Sequence, residues 1–355
     1  MEAAGVTGLI SGFIAFLFLM ALRPFAVQVD LLDRPDDRKA HSGAVPLVGG
    51  LSVFLGLGVA WLLEMPLAEG YGVFLFCASL LVIMGAVDDA RELPAKFRLG
   101  GQVVLGAVLA FGSGNSLESF GNLFGLGAIE LGLFGPFVTI AAIIGATNAF
   151  NMVDGIDGLA GSLSLVALLS LCFLFSTSGG FPLELTFSLA ISFALIPYLM
   201  ANLRLYPFKR RIFMGDAGSM FIGFALVWLL VQGTHLEGAA FRPVTALWLI
   251  AIPLMDMVAI MVRRARKGQS VMKPDRDHLH HIFMRAGFSD REALVMITAI
   301  AILLATIGLL GEYFHIPGWI MFMAFMCVFA LYDWALTHIW RLLISYRKHF
   351  GARRT

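Results

Sequence analysis

Residues 132–162 read GLFGPFVTIAAIIGATNAFNMVDGIDGLAGS, and this stretch decides the fold class. Its first part, 132–150, carries no charge and is long enough to cross a bilayer as a helix, which takes about 20 apolar residues. Directly after it come Asn151, Asp154 and Asp157, with Gly155 and Gly158 between them. A helix that delivers carboxylates to its own end is costly unless those groups have work to do. Outward from this segment the same apolar pattern recurs at 5–22, 46–64, 71–87, 99–113, 158–178, 185–202, 218–233, 243–262, 293–311 and 317–337. About eleven spans result, an all-α polytopic bundle.

The composition of the 355 residues agrees: 59% are hydrophobic and only 14% charged. Soluble domains carry about 25% charged residues, so a disordered chain is excluded and the deficit argues against a soluble globular enzyme. The net charge of +1 provides no basic field for nucleic acid. Cys77, Cys172 and Cys327 lie in apolar runs without metal-like spacing and read as small lipid-facing or packing residues. The first apolar segment lacks a basic leader and a small-residue cleavage site, so it reads as a span rather than a signal peptide. No internal repeat is visible.

Charge placement tests the count. Lys and Arg collect in cytoplasmic loops. Of the 25 basic residues, 24 follow odd-numbered spans, and Arg242 is the exception. Glu64, Glu69, Glu118, Glu130, Glu184, Glu237 and Glu312 sit in the other loops. The alternation predicts an external N-terminus and an internal C-terminus. One catalytic membrane domain is expected over 1–340, with active loops at about 23–45, 88–98, 151–157, 204–217 and 263–292. A basic tail follows at 341–355.

The acidic residues gather on the inner side. Asp88 and Asp89 follow the third span, Asp154 and Asp157 the fifth, and Asp216 precedes the eighth. Asn151, Asp154 and Asp157, spaced by three, are expected along one helix face. The neighbours Asp88 and Asp89 would point about 100° apart on a helix and so do different jobs. Such a concentration of carboxylates calls for a hard divalent cation such as Mg²⁺, which takes oxygen ligands from protein and phosphate together. Basic residues of the same loops, Lys39, Lys96, Arg98 and the Arg263, Arg264, Arg266, Lys267 cluster, then serve as clamps for an anionic substrate. Together these features point to phosphate chemistry on a lipid-linked substrate. His278, His280 and His281 form a second group suited to phosphate contact or proton transfer. Zinc fits them poorly, because Arg and Asp rather than Cys surround them. Plainer roles stand beside each reading: Asp88 or Asp89 paired with Arg91, Asp154 or Asp157 capping the sixth helix, Asp216 capping the eighth, Phe213 as packing, Lys39 and His41 as solvated loop residues. Asp256, deep in the ninth span, is either partnered by a buried donor or part of the site.

Five segments in this order, DRPDDRKAHSGAVPLVGG (33–50), GAVDDARELPAK (85–96), NAFNMVDGIDGLAG (148–161), FMGDAGSMFIG (213–223) and DRDHLHHIFMRAGF (275–288), resemble the polyprenyl-phosphate N-acetylhexosamine-1-phosphate transferases. Within that family the chain looks most like the WecA-type branch. The resemblance implies a helical membrane enzyme of ten or eleven spans with its active site facing the cytoplasm, in the bacterial inner membrane. It implies transfer of GlcNAc-1-phosphate from UDP-GlcNAc to undecaprenyl phosphate with release of UMP, beginning O-antigen or enterobacterial common antigen synthesis. Mg²⁺ is the implied cofactor, with Mn²⁺ as substitute. By this resemblance Asp88 and Asp89 serve metal binding and acceptor activation, and Asp216 is a metal ligand. Asn151, Asp154 and Asp157 serve nucleotide and metal. Phe213 matches a position that stacks on uracil. The branch's histidine motif reads His278-Leu279-His280-His281 here, with Leu in place of Ile. Another UDP-N-acetyl sugar such as N-acetylfucosamine is an alternative donor, and a homodimer is left open. An ion-coupled secondary transporter is the rival from another class, predicting carboxylates at mid-membrane; a non-catalytic scaffold would need no such carboxylates.

Overall fold

Where water is absent, backbone must satisfy its own hydrogen bonds, so the apolar segments fold as helices. The computed structural model describes residues 2–34, 43–64, 70–235, 238–269 and 278–350, with side chains to residue 338. Among these residues the order is α1 (Glu2–Gln28), β1 (Leu32–Asp33), β2 (Val45–Pro46), α2 (Gly49–Glu64), α3 (Tyr71–Arg91), α4 (Ala95–Gly112), α5 (Gly135–Val153), α6 (Leu159–Ser178) and α7 (Pro182–Asn202). Then follow α8 (Gly215–Gly233), α9 (Pro243–Leu249), α10 (Ala251–Arg266), α11 (Leu279–Arg285), α12 (Asp290–Tyr313) and α13 (Gly318–Phe350). Each expected apolar segment except 243–262 coincides with one helix. By length and hydropathy eight of the described helices suffice to cross a membrane, or nine if α9 and α10 count as one bent span. Helix α2 has only 16 residues, and α4 opens with Lys96 and Arg98, so both fall below that measure.

Two expectations change here. The segment 243–262, read as one straight span, is broken: α9 and α10 meet at 85°. Pro253 has no N–H to give the carbonyl of Leu249 and its ring collides with that carbonyl, so the helix turns at Ile250. Second, a short antiparallel pair exists, with Leu32 opposite Pro46 and Asp33 opposite Val45. It brings Asp33 to the rim of the cavity described below.

Helix α8 is the axis of the bundle and is buried almost throughout. Small residues let its neighbours come close, the usual solution where lipid offers no hydrophobic driving force between helices. A Cβ on Gly50 of α2 would fall on the backbone of Gly218, and one on Gly85 of α3 on that of Ala217. On the other side, a Cβ on Gly223 would lie 2.6 Å from the Ala146 carbonyl of α5. The start of α8 is thereby fixed beside the ends of α3 and α5. The segment before α8 is tied down as well: the Phe213 amide donates to Pro46 O, and Gly49 and Gly50 donate to the carbonyls of Phe213 and Met214, each at 2.9 Å.

Candidate active site

A cavity of about 1010 Å³ opens at this end of the bundle. Its lining comes from the loops after the first, third, fifth, seventh and ninth spans: Asp33, Asp88 and Asp89, Asn151 and Asp154 to Asp157, Arg211 and Phe213, and His281 with Arg285. Asp216 at the start of α8 completes it. The loops that charge placement had assigned to one side therefore share one end of the molecule. At the other end, Glu118 meets His235 at 3.2 Å and Arg242 meets Glu312 at 3.1 Å.

The two adjacent aspartates do separate jobs. Asp89 accepts from the amides of Asp216 at 2.8 Å and Ala217 at 3.3 Å. It thus caps α8 from another helix, satisfying two of its first amides. Gly215, at φ +75°, is required there: a Cβ would stand 2.5 Å from Asp89 Oδ2. The expectation that Asp216 caps α8 is thereby corrected, since the cap position is filled by Asp89 and the Asp216 carboxylate is left for the cavity. Asp88 is buried and accepts from the Leu93 amide at 2.7 Å and from Arg98 Nη1 at 2.6 Å. The same Nη1 reaches Asp216 Oδ2 at 3.1 Å.

Asn151 Nδ2 donates to the other Asp216 oxygen at 2.8 Å and to Ser219 Oγ at 3.1 Å. The expected single helix face of Asn151, Asp154 and Asp157 is not formed. Helix α5 ends at Val153, Asp154 follows it in a non-helical conformation, and Asp157 lies in the turn before α6. Gly158, at φ +79°, needs backbone that a helix interior cannot supply. All three side chains still face the cavity. Nor do Asp154 or Asp157 cap α6, because the Gly158 amide donates to Asn202 Oδ1 at 2.5 Å, and Asn202 Nδ2 donates to Ile212 O at 2.9 Å. Asp157 pairs with Arg211 at 2.9 Å. The guanidinium of Arg211 lies 6.0 Å from the Phe213 ring centre, and that half-buried ring lines the cavity. Asp154 opens onto the cavity; burial first, then the charges of Asp216 and Asp157, push its carboxyl up to about 7.

The histidines divide. His281 lines the cavity, while His278 and His280 are buried behind it. Burial, then the neighbouring His281 and His278, lower His280 to about 3, so its ring is neutral. Of the three histidines expected to serve phosphate contact or proton transfer, only His281 is on the cavity wall. Asp256 is partnered rather than open: His278, the Leu279 amide and Tyr332 all meet it. This removes the one deep carboxylate on which an ion-coupled transporter could rest.

Other expected clamps do not reach the cavity. Lys96 is exposed and outside its lining. Arg263, Arg264 and Arg266 lie outside it too: Arg263 Nε approaches Ala259 O at 3.4 Å, Arg264 is buried, and Arg266 pairs with Asp333 at 3.3 Å. They belong to the end of α10, whose direction the 85° bend sets. Lys39 and His41 lie outside the described residues. In their place Arg98, Arg211 and Arg285 supply positive charge at the cavity. Arg211 and Arg285 were missed as site residues; the proximity of Arg211 to Phe213 and Asp216 in sequence was the available signal. Asn202 was missed because an amide 44 residues from the helix it caps leaves no local pattern.

Among the described residues no group of three or more His, Cys, Asp or Glu side chains stands ready as a metal cage. The donor chemistry nevertheless fits a hard cation. Asp88 and Asp216 converge on one positive group, the Arg98 Nη1, and all neighbouring donors are oxygens or amides.

Comparison with known proteins places this arrangement. Residues 71–234 match glycosyl transferase family 4. The chain is 45% identical over 326 residues to the undecaprenyl-phosphate alpha-N-acetylglucosaminyl 1-phosphate transferase of Yersinia pestis, covering 92% of this chain and 89% of that one. It is 44% identical to the protein of that name from Escherichia coli (strain K12), over 95% of this chain and 92% of the other. The Pasteurella multocida (strain Pm70) protein of the same name is 45% identical, with 92% of each chain covered. With likeness of this extent running through the helices that build the cavity, the chain belongs to glycosyl transferase family 4 and, within it, to the undecaprenyl-phosphate alpha-N-acetylglucosaminyl 1-phosphate transferases.

Proposed function

We propose that the protein transfers GlcNAc-1-phosphate from UDP-GlcNAc to undecaprenyl phosphate at the cytoplasmic face of a bacterial inner membrane, with the N-terminus outside. An oxygen of the acceptor phosphate attacks the sugar-bearing β-phosphorus. The bond from that phosphorus to the bridging oxygen breaks, and UMP leaves with the electron pair. The observation that carries the reading is the convergence of Asp88, Asp89, Asn151, Asp154, Asp157 and Asp216 from three distant segments on one cavity. The names of the relatives favour GlcNAc over N-acetylfucosamine.

Two anionic reactants must meet, so alignment and charge neutralisation supply most of the rate. Asp216, Asn151 and Asp88 would hold Mg²⁺, or Mn²⁺ in its place, and the ion would neutralise the diphosphate. Arg98, already between Asp88 and Asp216, turns a donor toward phosphate oxygens. Asp88 orients the acceptor phosphate and takes its proton if one is present. Phe213 offers a face to the uracil, and Asp157 and Arg211 supply an acceptor and a donor for the nucleotide. A separate apolar surface would take part of the lipid tail. An apolar cavity of about 340 Å³ lies between α5, α8 and the bent α9–α10 pair, from Leu117 and Phe120 to Phe150 and Met257.

The test is label transfer in proteoliposomes containing undecaprenyl phosphate and radiolabelled UDP-GlcNAc. Label should appear on lipid, and Asp216→Ala should lower the rate by roughly 100-fold or more at saturating Mg²⁺. Soluble label trapped inside the vesicles would show a transporter instead. Competition with other UDP-N-acetyl sugars identifies the donor.

A further inference from the structure

Asp256 is a nearly inaccessible carboxylate on α10, 1% exposed, outside the cavity and outside the proposed chemistry. It is fully engaged. Oδ1 accepts from the Leu279 amide at 3.0 Å and from the Tyr332 hydroxyl at 2.8 Å, and Oδ2 lies 3.0 Å from His278 Nδ1. Leu279 opens α11, and His278 at its cap position makes no side-chain cap. A carboxylate from another helix therefore does the capping. The short approach of Oδ2 to His278 Nδ1 fixes the orientation of that ring.

From this anchor the histidine segment runs to the cavity wall. The rings of His278 and His280 stack at 5.7 Å with 7° between planes, and His281 lies 4.2 Å from His280. The His280 ring is wedged against Gly155, where a Cβ would overlap it, and its Nε2 has no hydrogen-bond partner among the described residues. His280 is thus held by shape, between the anchor on one side and the Asp154–Asp157 turn on the other. His281 and Arg285, carried on the same short helix, face the cavity.

We infer that Asp256, with Tyr332 of α13, is a positioning residue: it docks the histidine helix so that His280 buttresses the aspartate turn and His281 and Arg285 meet the substrate. The part of this that concerns turnover rests on the transferase reading. Partners that orient functional histidines are worth roughly 10- to 100-fold. Arg211 and Phe213, on the nucleotide side, stand on the segment before α8, which Pro46, Gly49 and Gly50 tie down, so donor binding should be largely spared.

The experiment uses the full chain, with Asp256→Asn and the milder Tyr332→Phe. Hydrogen exchange of peptides covering 278–286 should speed up by about tenfold or more in Asp256→Asn, with α8 unchanged. In the transfer assay, kcat should fall roughly 10- to 100-fold while KM for UDP-GlcNAc stays within about threefold. Tyr332→Phe should move both in the same direction by less. Unchanged exchange at 278–286, wild-type kcat, or a loss expressed as KM would overturn the assignment. If Asp256→Asn does not fold, Tyr332→Phe decides on the same measurements. A wild-type protein that puts no label on lipid would defeat the transferase reading alone, because the exchange measurement still decides the docking.

Discussion

Gly155 shows how little room the site leaves. Its missing side chain is occupied by the His280 ring. Gly155→Ala should therefore cost about 1–3 kcal/mol through overpacking and lower transfer at least tenfold by tilting the Asp154–Asp157 turn, checked by denaturation and label transfer in parallel. Asp154 sets a pH dependence. Its carboxyl is raised from 3.8 to about 7, so between those values the folded protein holds a proton that the unfolded chain has released. Its stabilising contribution is complete below about pH 4 and is lost as pH rises through 7. His280 has the opposite sign: lowered from 6.5 to about 3, it contributes above pH 6.5 and fails as pH falls toward 3. Comparing wild type with Asp154→Asn isolates the first effect. Without divalent cations, the variant should gain about 1–3 kcal/mol at pH 8, a value reduced for the opening onto the cavity, and nothing at pH 4. Equal pH profiles in thermal unfolding would refute the assignment.

At the level of elements, the start of α8 is where packing and chemistry meet. Asp89 holds its first amides, so stability and activity should separate by substitution. Asp89→Ala removes the cap and should cost about 1–2 kcal/mol. Asp89→Asn keeps an acceptor and should lose about half of that or less, while transfer falls in both. Urea midpoints set against initial rates distinguish these outcomes. The bend between α9 and α10 is the other decisive element. It aims Asp256 at the histidine helix and turns the Arg263–Arg266 cluster away from the cavity, which is why that cluster pairs with Asp333 and backbone instead. Periodicity could not announce this, because an apolar run reads the same whether straight or broken.

For the whole molecule, the charge alternation predicts sidedness. Leu126 is 93% exposed at one end and Tyr206 is 91% exposed at the other. In a Cys327→Ser background, a cysteine placed at 126 should react with an impermeant maleimide from outside intact cells. One placed at 206 should react only after permeabilisation. The reverse pattern would turn the cavity to the outer face and remove its access to cytoplasmic UDP-GlcNAc.

What could be read along the chain was whatever depends on residue type and spacing. That includes the all-helical membrane class, because long uncharged runs have one stable form in lipid, and the acidic loops, because carboxylates there are too costly to be decoration. The division of labour within those loops was out of reach. Asp88 on Arg98, Asp89 on α8, Asn202 at the cap of α6 and Asp256 under His278 are all partnerships between residues at least ten positions apart. Only the packed bundle could select which His, Arg and Asp face the cavity and which hold it in place. The physical reason is that hydrogen-bond and charge partners are chosen by distance through space, which glycine contacts such as Gly50 on Gly218 and the turn at Ile250 determine, and neither feature has a one-dimensional signature.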